Sequence, residues 1–291
     1  MYNIKIQMEM KNPTTIGQPD KNDPQEQLIR NKLESLSNTE WSKSFFENAK
    51  VDQIAFINKG LDPNRSGLEI RNLYLDLIKK TCDAGKTKIE SGLENLAALK
   101  QGPVILITNH LGTAKISRID TKNININGLS LQEIEPFPIR IAPFYSISEK
   151  LSMSPYECAI ELPNPFLDIQ TKSGVISIPA DGKGRTELLQ NKIKDLIDRE
   201  PKSLIIMYPE GGTSGKRNLG GPYDLDNFHT GAFVIAKNLK IPVLPVFQSF
   251  DPISGFELSI LKPTMPSELD NLDLRIFVQD LRTKMQKFAP K

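Results

Sequence analysis

Read for the spacing of its apolar residues, the chain changes character twice. Residues 1–24 are expected to form a disordered arm. Met1 to Met10 alternates polar and apolar residues, and the stretch after it is rich in Asn, Pro, Asp and Lys. From about residue 25 the period is helical. Leu28, Leu33 and Leu36 share one side of a first helix, and Trp41, Phe45, Phe46, Val51, Ile54 and Phe56 mark one or two further short ones. After the break at Leu61-Asp62-Pro63-Asn64, Leu68, Ile70, Leu73, Leu75, Leu77 and Ile78 mark another helix. Residues 25–85 therefore read as a helical cap whose apolar residues are chiefly packing surface, with an aromatic face against lipid as the lesser reading.

The second change falls at Lys86, where short β-branched runs begin to alternate with helical stretches. Thr87-Lys88-Ile89-Glu90 reads as an edge strand and Leu93 to Leu99 as a short helix. Val104-Ile105-Leu106-Ile107-Thr108 is a strand, followed by a helix from Gly112 or Thr113 through Ile119 and a loop over Asn123 to Ser130. Ile139-Arg140-Ile141 and Val175-Ile176-Ser177-Ile178 are further strands. Leu188, Leu189, Ile193, Leu196 and Ile197 place a helix over Arg185 to Arg199, leading into a strand at Leu204 to Tyr208. Thr230 to Leu239 is helical, Ile241 to Phe247 and Phe256 to Leu261 are strands, and Leu274 to Phe288 is a closing amphipathic helix. This alternation predicts an α/β fold over residues 86–291, a mostly parallel or mixed central sheet flanked by helices, behind the N-terminal helical cap.

Composition narrows the picture. At 291 residues the chain is long enough to bury a substantial core. Its 37 basic and 35 acidic residues leave a net charge of +2, too little to argue for nucleic acid and compatible with weak attraction to anionic lipid. No apolar run approaches the ~18–20 residues that span a bilayer. The amino terminus lacks the apolar centre of a signal peptide. Cys82 and Cys158 have no metal-ligand spacing and read as structural thiols in a reducing compartment. The expected location is cytoplasmic, with reversible contact at a membrane surface as the alternative.

Two stretches carry candidate chemistry. Tyr208-Pro209-Glu210-Gly211-Gly212-Thr213-Ser214-Gly215-Lys216-Arg217 follows an apolar strand with a carboxylate, three glycines and two cations. Glycines let backbone N–H groups approach an anion, and Lys or Arg supplies charge for a phosphate or carboxylate. A solvated turn has the same composition. A hundred residues earlier a strand ends at Asn109-His110, where an α/β sheet exposes functional groups at its carboxyl edge. An isolated histidine there is more often structural than catalytic.

The order of blocks changes those odds. Pro103 to His110, then Gly174 to Ile178, then Tyr208-Pro209-Glu210-Gly211, then Ile241-Pro242-Val243-Leu244-Pro245-Val246 resembles the glycerolipid acyltransferase family, typified by lysophosphatidate (1-acylglycerol-3-phosphate) acyltransferase. Phe228-His229-Thr230-Gly231-Ala232 fits the segment before that family's late helix. The resemblance covers roughly residues 86–262 and implies transfer of an acyl group from a CoA or carrier-protein thioester to a hydroxyl of a lysophospholipid, glycerol phosphate or related acceptor. It implies no metal or prosthetic group; the acyl thioester is a co-substrate. His110 would be the general base, and Asn109, Thr113, Arg185, Glu210, Gly211, Gly212, Thr213, Lys216 and Arg217 would bind substrate.

The chain departs from the family pattern where a histidine is followed five residues later by an aspartate. Here that position is Lys115. A cation beside an imidazole lowers its basicity. The nearest downstream acid, Asp120, is ten residues on and pairs with His110 only through an unusual loop. The family's Glu-Gly-Thr-Arg becomes Glu210-Gly211-Gly212-Thr213, and where its middle motif carries an arginine this chain has Pro179-Ala180-Asp181, with Arg185 arriving late. Two readings follow: an acyltransferase with the rearranged pair His110 and Asp120, or a catalytically degenerate relative that binds acyl chains, lipids or a protein partner.

Overall fold

A computed structural model describes residues 33–99, 101–116, 119–120, 133–134, 138–162, 164–179, 184–215 and 220–290, together with Gln27 and Asn31. The arm expected over residues 1–24, Leu28, and the loop expected over Asn123 to Ser130 lie outside the described residues. The strands are β1 (Lys88–Ser91), β2 (Val104–Thr108), β3 (Ile119–Asp120), β4 (Glu133–Ile134), β5 (Ser154–Ile160), β6 (Ile176–Ile178), β7 (Ser203–Met207), β8 (Val243–Asp251) and β9 (Gly255–Ile260). Among the helices are α1 (Glu40–Gly60), α2 (Gly67–Ala84), α3 (Thr113–Ile116), α4 (Pro138–Ile141), α5 (Tyr145–Leu151), α6 (Phe166–Lys172), α7 (Arg185–Arg199), α8 (Gly231–Leu239), α9 (Pro266–Leu269) and α10 (Leu274–Gln286).

Seven strands form one mixed sheet in the order β1-β9-β8-β2-β7-β5-β6, and β3 pairs with β4 apart from it. Strands β6, β5, β7, β2 and β8 run parallel; β9 turns back antiparallel to β8, and β1 lies parallel to β9 at the edge. The apolar runs of β2 and β7 are buried at every position because helices cover both faces. Alternate residues go to opposite layers. Val104, Leu106, Leu204 and Ile206 share a cluster with Phe56 and Ile57 of α1 and Ile70, Tyr74 and Ile78 of α2. Ile105, Ile107 and Ile205 face Leu189 and Ile193 of α7, Phe233 and Ile235 of α8, and Val278 and Leu281 of α10.

The segment expected to hold one or two short helices after residue 40 is instead the continuous 21-residue α1. Its start is set by a reciprocal cap: Ser42 N–H donates to Thr39 Oγ1 and Thr39 N–H donates to Ser42 Oγ, each at 3.1 Å. Ser66 and Glu69 build the same device at the start of α2. Ile139-Arg140-Ile141, expected as a strand, lies in the short helix α4; three residues are too few to fix a period, and Pro138 supplies the φ of a first helical turn. The helix expected from Gly112 or Thr113 through Ile119 is described over Thr113–Ile116 and does not include Ile119, which begins β3. Strand β5 was not foreseen: Pro155 and Glu157 interrupt its apolar pattern, yet it pairs with β7 on one side and β6 on the other.

Arg71 ties α2 to the far half of the sheet. Its guanidinium donates to the carbonyls of Ser173 (2.6 Å) and Pro155 (2.8 Å) and lies 4.2 Å from the centroid of the Tyr156 ring. Arg71→Ala should lower stability by roughly 2–4 kcal/mol, since it removes two charge-assisted bonds to backbone acceptors. Arg71→Lys should restore less than half, because one ammonium cannot reproduce the planar two-carbonyl fork. Urea midpoints of the three proteins test both expectations.

Candidate functional site

The parallel register of β2 and β7 pairs Ile107 with Met207, so residues three further on in each chain segment emerge side by side. These are His110 and Glu210. The backbone N–H of His110 donates to Glu210 Oε1 at 3.1 Å across a sequence separation of 100 residues. From the other side, Ser214 N–H donates to the His110 carbonyl at 2.9 Å. His110 is thus gripped by both of its backbone polar groups, and the residue as a whole is half-buried. Asn109 before it is fully buried: its amide donates to the Gln248 carbonyl (3.0 Å) and accepts Gln248 N–H (2.8 Å). Gln248 Nε2 returns a bond to the Asn109 carbonyl at 2.8 Å. The Asn109 side chain in effect extends the β2–β8 ladder beyond the strand's own end.

Glu210 is 1% exposed, and three donors converge on its carboxylate. Besides His110 N–H, Ser214 Oγ donates to Oε1 (2.6 Å) and Asp226 N–H to Oε2 (2.7 Å). Burial pushes its pKa up to about 7 against the downward pull of those donors, with the Asp226 charge adding to the rise. The segment that presents Asp226 has no regular structure, and α10 satisfies its backbone instead. Gln279 donates to the Phe228 carbonyl (3.0 Å), Arg282 Nε to the carbonyls of Leu225 (2.9 Å) and Asp226 (3.0 Å), and Gln286 to that of Tyr223 (2.9 Å). Gln286 also accepts Leu225 N–H at 2.8 Å. Spacing of three and four residues puts these side chains on one face of α10.

Around this knot stand most of the residues expected at the site. Gly211, exposed and at φ 65°, and Gly212 form the turn after Glu210; Thr213 is buried. Gly112, at φ 79°, lets the loop after His110 press on Thr213 and Leu33, because a Cβ there would stand 2.8 Å from Thr213 Cγ2. Thr113 is buried at the start of α3, and Lys115, in the same helix, is 9% exposed. Arg185 opens α7 beyond β6, on the same carboxyl edge but two strands from β7. The backbone of Asp120 pairs with Glu133 in the β3–β4 ribbon, and its side chain lies outside the described residues, as do Lys216 and Arg217.

The structure adds polar residues that the sequence reading left out. Glu157 of β5, fully buried, pairs with Arg140 of α4 through Nε–Oε1 at 2.9 Å and Nη2–Oε2 at 3.3 Å. The Tyr208 hydroxyl approaches the Arg140 carbonyl at 3.4 Å, and its ring centroid lies 4.8 Å from that of His110. A carboxylate inside an otherwise strand-like stretch, Ser154 to Ile160, was the available signal, but nothing in the sequence gave it a partner. Among the described residues no cluster of His, Cys, Asp or Glu could hold a metal ion.

No protein-family model matches the chain, and no curated protein matches it either. Among solved structures, the crystal structure of the 1-acyl-sn-glycerophosphate (LPA) acyltransferase PlsC from Thermotoga maritima is similar over 90% of this chain and 98% of that one, with 16% identity and a TM-score of 0.48. A likeness of that size carries no functional argument.

The Glu210 carboxyl gives a signed pH dependence. A free glutamate titrates near 4.5 and the folded one at about 7, so between those values the folded chain holds a proton that the unfolded chain has lost. Its contribution to stability therefore falls as pH rises through that window, by about 3 kcal/mol in full. Glu210→Gln removes the titration. Urea unfolding from pH 4.5 to 8 should show the natural protein losing stability relative to this variant; the opposite trend would contradict the raised pKa.

Proposed function

We propose that this chain is an acyltransferase-type protein that moves an acyl group from a CoA or carrier-protein thioester to a hydroxyl of a lysophospholipid, glycerol phosphate or related acceptor. The observation that carries this reading is the fixed backbone of His110 at the carboxyl edge of the sheet, locked to Glu210, with the residue half-buried. In the reaction, His110 takes the proton of the acceptor hydroxyl as its oxygen attacks the thioester carbonyl. The new C–O ester bond forms, the C–S bond breaks, and the proton passes from the imidazolium to the departing thiolate. Glu210 serves by holding the His110 backbone and the 211–215 loop in register. Gly211 N–H is taken by the Tyr208 carbonyl at 3.1 Å, so the contact to an anionic acceptor falls to the Gly212 amide, with Lys216 and Arg217 as the expected counter-charges. Asp120 is the proposed orienting carboxylate.

A second reading is favoured by Lys115, which is buried in the first turn after the histidine. An ammonium there opposes an imidazolium, as in a protein that keeps the fold for binding and has lost the chemistry. Turnover of palmitoyl-CoA separates the two. Under the first reading the natural protein turns over, His110→Ala and Asp120→Asn each cost at least roughly a hundredfold, and Lys115→Ala changes little. Under the second, the natural protein is inert and Lys115→Asp raises turnover. Robust activity that survives His110→Ala would defeat both.

Contact with lipid is proposed to be peripheral. None of the described helices is long and apolar enough to cross a membrane. Binding to anionic liposomes in a flotation assay should weaken as salt rises from 50 to 500 mM, taken here as roughly 14 to 4 Å in screening length; binding indifferent to salt and reversed only by detergent would contradict it.

A further inference from the structure

We infer that Tyr208, held at the Arg140 carbonyl beside the buried Arg140–Glu157 pair, positions the His110 ring. The catalytic part of this inference rests on the acyltransferase reading; the structural part does not. Glu157 stands opposite Ile206 in the β5–β7 register, so Tyr208, two residues beyond Ile206, projects to the same face of the sheet. Helix α4 lays Arg140 across both. The Tyr208 hydroxyl donates toward the Arg140 carbonyl at 3.4 Å, while its ring packs against His110 at 4.8 Å with 55° between the planes. Tyr74 of α2 also faces this cluster, with Arg71 beside it. The outer end of the phenol meets the Arg140 carbonyl, so turning the ring breaks that part-buried contact. The imidazole is packed against a fixed wall.

Stability does not account for this arrangement. Burying an ion pair between a helix and a sheet costs desolvation that its attraction only about repays, and apolar residues of similar volume serve as well or better. Glu157 shows the strain of that burial: desolvation pushes its pKa up, and Arg140 and the Tyr208 hydroxyl pull it down. The Tyr208 phenol is pushed well above its usual range, so it stays a donor at every physiological pH. What the cluster achieves is a single geometry for a ring beside the histidine.

The chain has two histidines, so in a His229→Gln background the imidazole 15N signals report His110 alone. Tyr208→Phe keeps the ring and removes its anchor. It should shift the His110 15N signals through a changed tautomer ratio. It should also lower kcat for palmitoyl-CoA turnover by roughly two- to tenfold at unchanged KM, the effect of one lost hydrogen bond. Phe144→Leu, a truncation buried in the same layer, controls for general loosening and should leave both readouts in place. If the 15N signals of Tyr208→Phe match those of the parent, or if kcat is unchanged in an active parent, the inference is overturned. If the parent turns over no palmitoyl-CoA, the acyl-transfer reading falls, and the 15N comparison alone decides whether Tyr208 positions the ring.

Discussion

A carboxylate with almost no exposure to water must either find donors or lose its charge. Glu210 finds three, and each comes from a different piece of the chain: the end of β2, the loop after β7, and the segment before α8. Oε1 takes two of them and Oε2 the third, so loss of the Asp226 N–H takes away the donor of a buried oxygen, which costs about 1–3 kcal/mol. Hence the carboxyl edge behaves as one unit. The β2–β7 register places the acid, the acid fixes His110, and the glycines on either side allow the loops to close around it.

The outer supports follow the same logic of backbone satisfaction. Segment 223–228 has neither helix nor ladder, yet its carbonyls are answered by side chains of α10, and its Asp226 N–H by Glu210. Tyr223 adds a tie to β8 by exchanging hydrogen bonds with Phe250. On the opposite face, Arg71 answers two carbonyls near β5 and β6. In each case an irregular stretch near the site is held by a long side chain reaching from a regular helix.

Much of the fold was legible because buried parallel strands read as unbroken apolar runs. β2, β7 and the first half of β8 could be placed from Val, Ile and Leu alone, and α7 and α10 from their helical spacing. β5 was hidden by Glu157, a charge whose partner sits on another element and leaves no local trace. Of the site, the positions of His110 and Glu210 were legible from where their strands end. Their mutual role was not. Glycine and lysine near Glu210 pointed to an external anion, whereas the carboxylate itself turns inward to three protein donors. The reach of α10 to residue 226 is a long-range packing outcome that no local pattern encodes.

The long helices α1 and α2 cover the sheet face built by β2, β5 and β7, but those strands arrive later in the chain. As the chain is synthesised from its amino end, Phe56, Ile57, Ile70 and Ile78 are made more than a hundred residues before β7 can receive them. Pairing β2 to β7 then closes a loop of about the same length, the kind of non-local parallel contact that forms slowly. For that interval the apolar faces of α1 and α2 have each other, β2 and the short helices α4 and α5 but not the strands that complete their layer, and the growing chain is exposed to the sticky partners that chaperones exist to exclude.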